Sequence, residues 1–238
     1  MILRVIHNFF LYGLALIGFF WAVLFASCLM PFVKDRTRLF QAAGCIWVRS
    51  VIFFSGIKVA INGLENIPRR KSAILVANHQ SAVDIAVLMA YPPARFRFFV
   101  KKELFSIPVF GWSMRQAGHI AVDRSENFSN YKTILKIIRL LKSGESILIF
   151  PEGTRSRDGA LGKFKRGSLM IAFRAGAPIV PVAISGSYKI MPPGAKLIRP
   201  GKVRVSVGRP IYIENRKEYD RKLEEVRTAI AGMLSELP

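Results

Sequence analysis

The sequence predicts an α/β domain, a mixed and largely parallel sheet flanked by helices, preceded by an N-terminal two-helix membrane-docking element. Three observations carry that expectation. Seven short apolar runs between Ile57 and Val207 alternate with longer periodic stretches. No Lys, Arg, Asp or Glu occurs from Val5 to Val33. Apolar residues make up 51% of the chain, enough to exclude a disordered basic segment despite a net charge of +21. The 238 residues suit one domain of ordinary size with an appendage. The division falls at residue 56, with 1–56 as the membrane-binding element and 57–238 as the α/β domain.

The first element is the apolar run from Phe9 to Met30, about 33 Å long as a helix at roughly 1.5 Å per residue, comparable to a hydrocarbon core of about 30 Å. Pro31 ends it. The second, Leu39 to Ile57, contains Arg49, whose burial at the bilayer centre would cost about 2.5 to 3.5 kcal/mol, so this segment is expected not to span. At about 100° per residue Lys34, Arg38, Gln41 and Arg49 share one stripe, with Phe40, Ile46, Trp47, Phe53 and Phe54 away from it. That is the pattern of a helix lying among lipid headgroups with its basic stripe toward phosphates. Two plainer readings compete. The first segment also resembles a secretory signal, with a weak cleavage box at Phe25-Ala26-Ser27-Cys28, and the second also suits the first core helix of a soluble domain.

From Ile57 the apolar runs Ile57 to Ile61, Ser72 to Ala77, Phe96 to Val100, His119 to Val122, Ser146 to Phe150, Ile179 to Ile184 and Val203 to Val207 read as strands. Periodic stretches over Asn130 to Leu141, Phe164 to Ala175 and Lys217 to Leu237 read as helices. Alternation of this kind packs helices on a largely buried sheet. Pro192-Pro193-Gly194 is a loop within the domain.

Charge placement narrows the partners. Ten basic residues lie between Gly159 and Ile213 without one acid, a field suited to acidic lipid headgroups or a phosphorylated substrate. No groove-reading motif accompanies it, so nucleic acid is not expected. Two cysteines, Cys28 and Cys45, sit in apolar stretches and build no disulfide framework. Three histidines without clustered Cys/His spacing leave no structural zinc site to expect, and no metal.

Two constellations carry chemistry. Asn78-His79-Gln80-Ser81-Ala82-Val83-Asp84 follows directly on the Ile74 to Ala77 run. Residues five apart on a straight helix diverge by about 140°, so His79 and Asp84 meet only if His79 is still in the loop. Ser81 as N-cap with Asp84 in the first turn permits that: the carboxylate turns back to one ring nitrogen and leaves the other as a base. The same spacing also fits a simple helix cap beside an ordinary loop histidine. The second is Phe150-Pro151-Glu152-Gly153-Thr154-Arg155, placed where an α/β sheet puts its ligands, after a strand. Gly153 allows close backbone approach, Thr154 offers a hydroxyl, and Arg155 a fork matched to phosphate. It is an anion site by composition, and an ordinary charged turn otherwise; its spacing is not that of a Walker loop.

Together, and with Gly118-His119-Ile120-Ala121-Val122-Asp123-Arg124 and Ile179-Val180-Pro181-Val182-Ala183-Ile184 in the same order, these motifs resemble the four blocks of the lysophospholipid/glycerolipid acyltransferase family, most closely its bacterial 1-acyl-glycerol-3-phosphate branch. The resemblance covers roughly Ile57 to Gly208. One departure is His119, at a position where the family more often carries an apolar residue. What the resemblance implies is transfer of an acyl group from acyl-CoA or acyl carrier protein to the sn-2 hydroxyl of lysophosphatidic acid, giving phosphatidic acid, without a cofactor. It implies His79 as base and Asp84 as its partner, Glu152, Gly153, Thr154 and Arg155 on the glycerol phosphate, Arg124 contributing, and Lys101 on phosphate or oxyanion. It further implies anionic membrane lipids as partners and a plasma or inner membrane location, with the domain facing the cytoplasm. The chemistry agrees: an alcohol attacking a thioester needs a base, an orienting carboxylate and oxyanion donors, and no G-x-S-x-G elbow suggests a hydrolase. Two alternatives stay open, an acyltransferase for another lysolipid such as lyso-ornithine lipid, and a non-enzymatic anionic-lipid-binding membrane protein.

Overall fold

A computed structural model describes residues 2–68, 71–92, 95–122 and 131–236. Its strands are β1 (Ile57–Asn62), β2 (Ile74–Ala77), β3 (Phe96–Lys101), β4 (Ile120–Val122), β5 (Ser146–Ile149), β6 (Ile179–Ser185) and β7 (Gly201–Val207). Its helices are α1 (Ile2–Leu29), α2 (Arg36–Phe54), α3 (Ala82–Ala90), α4 (Pro108–Gln116), α5 (Tyr131–Lys142), α6 (Met170–Ala175), α7 (Ser187–Ile190) and α8 (Tyr219–Glu236). The strands form a seven-stranded sheet in the order β1-β7-β6-β2-β5-β3-β4. Five run parallel from β6 to β4, β7 is antiparallel to β6, and β1 is parallel to β7. The expected mixed, largely parallel sheet is therefore the one observed.

Side-chain alternation across the pleat divides the core into two layers. On one face Leu75, Phe96, Phe98, Leu148, Val182 and Val205 pack with α3 and with Val48 and Ile52 of α2. On the other, Ile74, Val76, Ile147, Ile149 and Ile179 pack under α5, α6 and α8. β2, β5 and most of β6 are buried on both faces, as their continuous apolar runs require.

α1 and α2 form an antiparallel pair on the first face. α1 is held near its start by Asn8, which donates to the Ile198 carbonyl at 3.0 Å and accepts from the Ile198 N–H at 2.7 Å. Near its end Ala26 is buried with Phe40 and Ala117. Between them, Trp47 of α2 donates to the Ala15 carbonyl at 2.8 Å. The outward face stays bare, with Phe9 76%, Trp21 66% and Phe25 65% exposed. Among the described residues this one helix is long and apolar enough to cross a membrane.

Three sequence expectations change. The α2 stripe does not face outward as a unit, because Gln41 donates to the Ala117 carbonyl at 3.0 Å and Arg49 to the Ala90 carbonyl at 2.6 Å. Both carbonyls lie at the unpaired end of a helix, where a donor or a cation is favoured; Gln41 is half-buried, while Lys34, Arg38 and the body of Arg49 stay exposed. The helix read from Phe164 begins only at Met170, after a 3-10 turn at Arg166–Leu169, since the Lys165 N–H is drawn away to the Pro151 carbonyl at 2.9 Å. α4, which the periodicity did not announce, starts on Pro108 and carries Gly111, whose missing Cβ lets it pack against the Phe105 backbone.

Candidate active site

β2 and β5 are parallel neighbours, with Val76 paired to Ile149. Motifs separated by some seventy residues in sequence therefore leave the same sheet edge about one strand spacing, roughly 4.8 Å, apart. That edge is the carboxyl end of the parallel strands, where such sheets bind ligands.

After β2 the chain does not enter a helix at once. Asn78, fully buried, donates to the Ile184 carbonyl at 2.9 Å and accepts from the Ile184 N–H at 2.7 Å, pinning the loop to the end of β6. Ser81 is extended and caps α3, accepting from the Val83 N–H at 3.1 Å. Asp84, in the first turn, completes a capping box. Its Oδ2 accepts from the N–H groups of Ser81 at 2.8 Å and Gln80 at 2.7 Å. The same oxygen receives the Nδ1–H of His79 at 2.9 Å. The carboxylate is wholly buried and the imidazole nearly so. Because a carboxylate only accepts, Nδ1 is the nitrogen that donates, which in the neutral ring leaves the lone pair on Nε2. The His79 ring stacks on Phe150, centroids 4.0 Å apart at 18°, which fixes its tilt.

After β5 the second loop folds over the first. Buried Glu152 accepts from the His79 N–H at 2.7 Å through Oε1 and from the Gly162 N–H at 2.9 Å through Oε2. Burial pushes its carboxyl pKa up, against the lowering effect of those two N–H donors. The Ser156 N–H returns to the His79 carbonyl at 2.8 Å, so the residue bearing the imidazole is clamped through both its backbone groups. Gly153 turns at φ +73°, a conformation strained for any residue with a Cβ, and the end of the Lys165 side chain crosses close over it. Thr154 and Arg155 are exposed at the rim.

The structure thus brings His79, Asp84, Glu152, Gly153, Thr154 and Arg155 to one sheet edge. Lys101 stands at the same edge, at the end of β3, half exposed and paired with Glu103 at 3.1 Å. Arg124 lies outside the described residues. Sequence reasoning missed Lys165 and the backbone clamp of Glu152. The one signal for Lys165 was its membership of the basic run after Gly159.

The site invites acyl or phosphoryl recognition by a polar rim around one oriented imidazole, and similarity to known proteins narrows it. A family model described as Acyltransferase matches residues 58–185. A chloroplastic 1-acyl-sn-glycerol-3-phosphate acyltransferase of Brassica napus is 36% identical over 211 residues, covering 86% of this chain and 60% of that protein. A 1-acyl-sn-glycerol-3-phosphate acyltransferase of Pseudomonas aeruginosa is 34% identical over 226 residues, covering 92% of this chain and 84% of that protein. The chain spans between 50% and 66% of the length of the plant relatives it matches, 50% of one from Arabidopsis thaliana. The crystal structure of a 1-acyl-sn-glycerophosphate acyltransferase from Thermotoga maritima superposes with a TM-score of 0.79 at 30% identity, covering 99% of this chain and 97% of that one.

Proposed function

The chain belongs to the acyltransferase family, and from that premise we propose that it transfers an acyl group from acyl-CoA or acyl carrier protein to the sn-2 hydroxyl of lysophosphatidic acid, releasing the thiol and phosphatidic acid. The observation that carries this reading is the buried His79–Asp84 pair, with Nδ1 turned to the carboxylate. Nε2 takes the proton of the attacking hydroxyl while Asp84 holds the imidazole in that tautomer and stabilises its charge. The proton then leaves with the thiolate.

Roles divide by charge and exposure. Glu152 is already engaged by two backbone N–H groups, and a carboxylate repels phosphate; its part is to seat the His79 backbone beside the anion loop. The glycerol phosphate falls to Thr154, Arg155, the Gly153 backbone and Lys165, with Lys101 at the edge. Arg124 is the further cation the resemblance adds.

Acceptor and product both reside in membranes, and the two-helix element suits a membrane-bound enzyme. α1 contacts the domain both at Asn8 and at Ala26, a span of about 27 Å at 1.5 Å per residue, so it lies along the domain. We place it in the plane of one leaflet, its bare face in hydrocarbon and the 57–238 domain on the cytoplasmic side. Residues 1–56 then act as the docking element.

The test is the purified full chain with one labelled acyl donor and several lysolipid acceptors. Labelled phosphatidic acid with stoichiometric thiol release is expected, and Arg155→Ala should raise KM for lysophosphatidic acid about 10- to 100-fold with little change for the donor, since a charge-assisted pair is lost. Equal use of a phosphate-free lysolipid would refute the acceptor assignment; absence of thiol release would refute the activity.

A further inference from the structure

A cavity of about 500 Å³ lies on the sheet face covered by α1, α2 and α3, at the end away from His79. Phe19 of α1, Phe40 and Trp47 of α2, Met89 of α3 and Phe96 and Phe98 of β3 make much of its wall apolar. It shares that face with Phe150, on which the His79 ring stacks. α3 spans the distance between the two ends, about 13 Å at 1.5 Å per residue. Accepting the acyl-transfer reading above, a long chain whose thioester sits at His79 and which runs down α3 places its distal part here.

Arg38, Gln41, Arg95 and Ser113 also line the cavity, the last three engaged with protein partners. His119, only 8% exposed, lines the cavity. Its Nδ1 accepts from the Phe98 N–H at 3.2 Å, so the ring's proton is on Nε2. Among the described residues Nε2 has no protein partner: the ring's other contacts are a tilted packing against Phe98, 5.4 Å between centroids, and the charge of nearby Arg97. Burial and that guanidinium push the imidazole pKa down to about 4, so near neutrality the group is an uncharged N–H donor beside the aromatic and aliphatic part of the lining.

We propose that His119 is a specificity residue, its Nε2–H selecting acyl chains that carry a hydrogen-bond acceptor, such as a hydroxyl or keto oxygen, in their distal part over plain hydrocarbon chains. A plain chain filling the chamber displaces any water on Nε2 and leaves the N–H unpaired, whereas an oxygenated chain replaces that bond. A site built around a polar group discriminates through this penalty far more sharply than an apolar wall discriminates by size.

Trp47 in the cavity wall supplies a readout independent of turnover. The full chain in phospholipid nanodiscs, with Trp21→Phe and Trp112→Phe leaving Trp47 as its tryptophan, is loaded with a distally brominated acyl-CoA, which quenches Trp47 on contact. Displacement is then measured with matched plain and monohydroxylated acyl-CoAs, the hydroxyl walked along the distal carbons. At one position the hydroxylated chain should bind about tenfold better than the plain one. His119→Leu should abolish that preference and His119→Gln, which keeps an N–H donor, should retain it. No quenching of Trp47, or the same preference in His119→Leu as in the parent, overturns the proposal. Acyl transfer scored on the same samples separates the two readings: selective displacement without transfer refutes the proposed function and leaves the His119 selection standing.

Discussion

Asp84 does three things with one oxygen: it caps α3, orders the backbone at Gln80 and Ser81, and holds the His79 ring. His79→Ala removes only the ring, so the fold should persist while kcat falls by about 10² to 10⁴. Asp84→Asn should lose comparable activity by allowing the wrong tautomer, and should also lower the melting temperature because the cap weakens. Circular dichroism melts beside turnover numbers separate the two effects, and near wild-type turnover in His79→Ala would refute the base assignment. His119 makes a different prediction at the same scale. Its folded pKa of about 4 lies below the ordinary value near 6.5. As pH falls through this window the unfolded chain takes up a proton that the folded chain refuses, so stability is lost from about pH 6.5 down to about pH 4, by up to about 3 kcal/mol. His119→Leu should flatten that part of the curve of unfolding free energy against pH; an unchanged slope would show that the imidazole is protonated in the fold.

Between residue and domain, α3 acts as a strut. Its first turn holds His79, and its last turn is gripped by α2: Arg49 donates to the Ala90 carbonyl and lies 5.1 Å over the Tyr91 ring, while Cys45 reaches the same carbonyl at 3.2 Å. The α1–α2 pair and the imidazole are therefore linked by one nine-residue helix. Arg49→Ala leaves a helix-end carbonyl without its charged donor and should cost about 1 to 2 kcal/mol, read as a lower denaturant midpoint. Arg49→Lys should recover part of it, lacking the flat guanidinium over Tyr91. Full stability in Arg49→Ala would mean that the contact adds nothing to α2–α3 docking.

For the molecule as a whole, the membrane docking proposed above would draw separately on the bare face of α1 and on the basic surplus. Apolar burial is indifferent to salt, while the basic part is screened over about 8 to 10 Å at ordinary ionic strength. The full chain should therefore stay with membranes in high salt and in carbonate. Removing residues 1–54 should abolish turnover on bilayer substrate and leave a protein prone to aggregate, because Val48 and Ile52 no longer cover Leu75, Val182 and Val205. Quantitative release of the intact chain by salt alone would reduce α1 and α2 to an ordinary helix pair.

The sequence by itself determined the local features, because they depend on near neighbours. Strand positions follow from short apolar runs, the end of α1 from Pro31, and the meeting of His79 with Asp84 from a serine cap that delays the helix by two residues. Only the tertiary structure decided which distant groups share a partner. That β2 and β5 are adjacent makes Glu152 a backbone clamp on His79, and no spacing along the chain encodes it. The bonds from Gln41 and Arg49 to helix-end carbonyls have the same origin: a helical wheel sorts residues by angle, but which side meets carbonyls and which stays bare depends on where α3 and α4 end. α4 escaped the periodicity for a related reason, since its Gly111 is chosen for closeness to the Phe105 backbone and contributes no apolar side chain to a pattern. The chamber at His119 was equally beyond reach, because a cavity is the space left by five elements packing together, and a lone histidine at the start of an apolar run says nothing of what it faces.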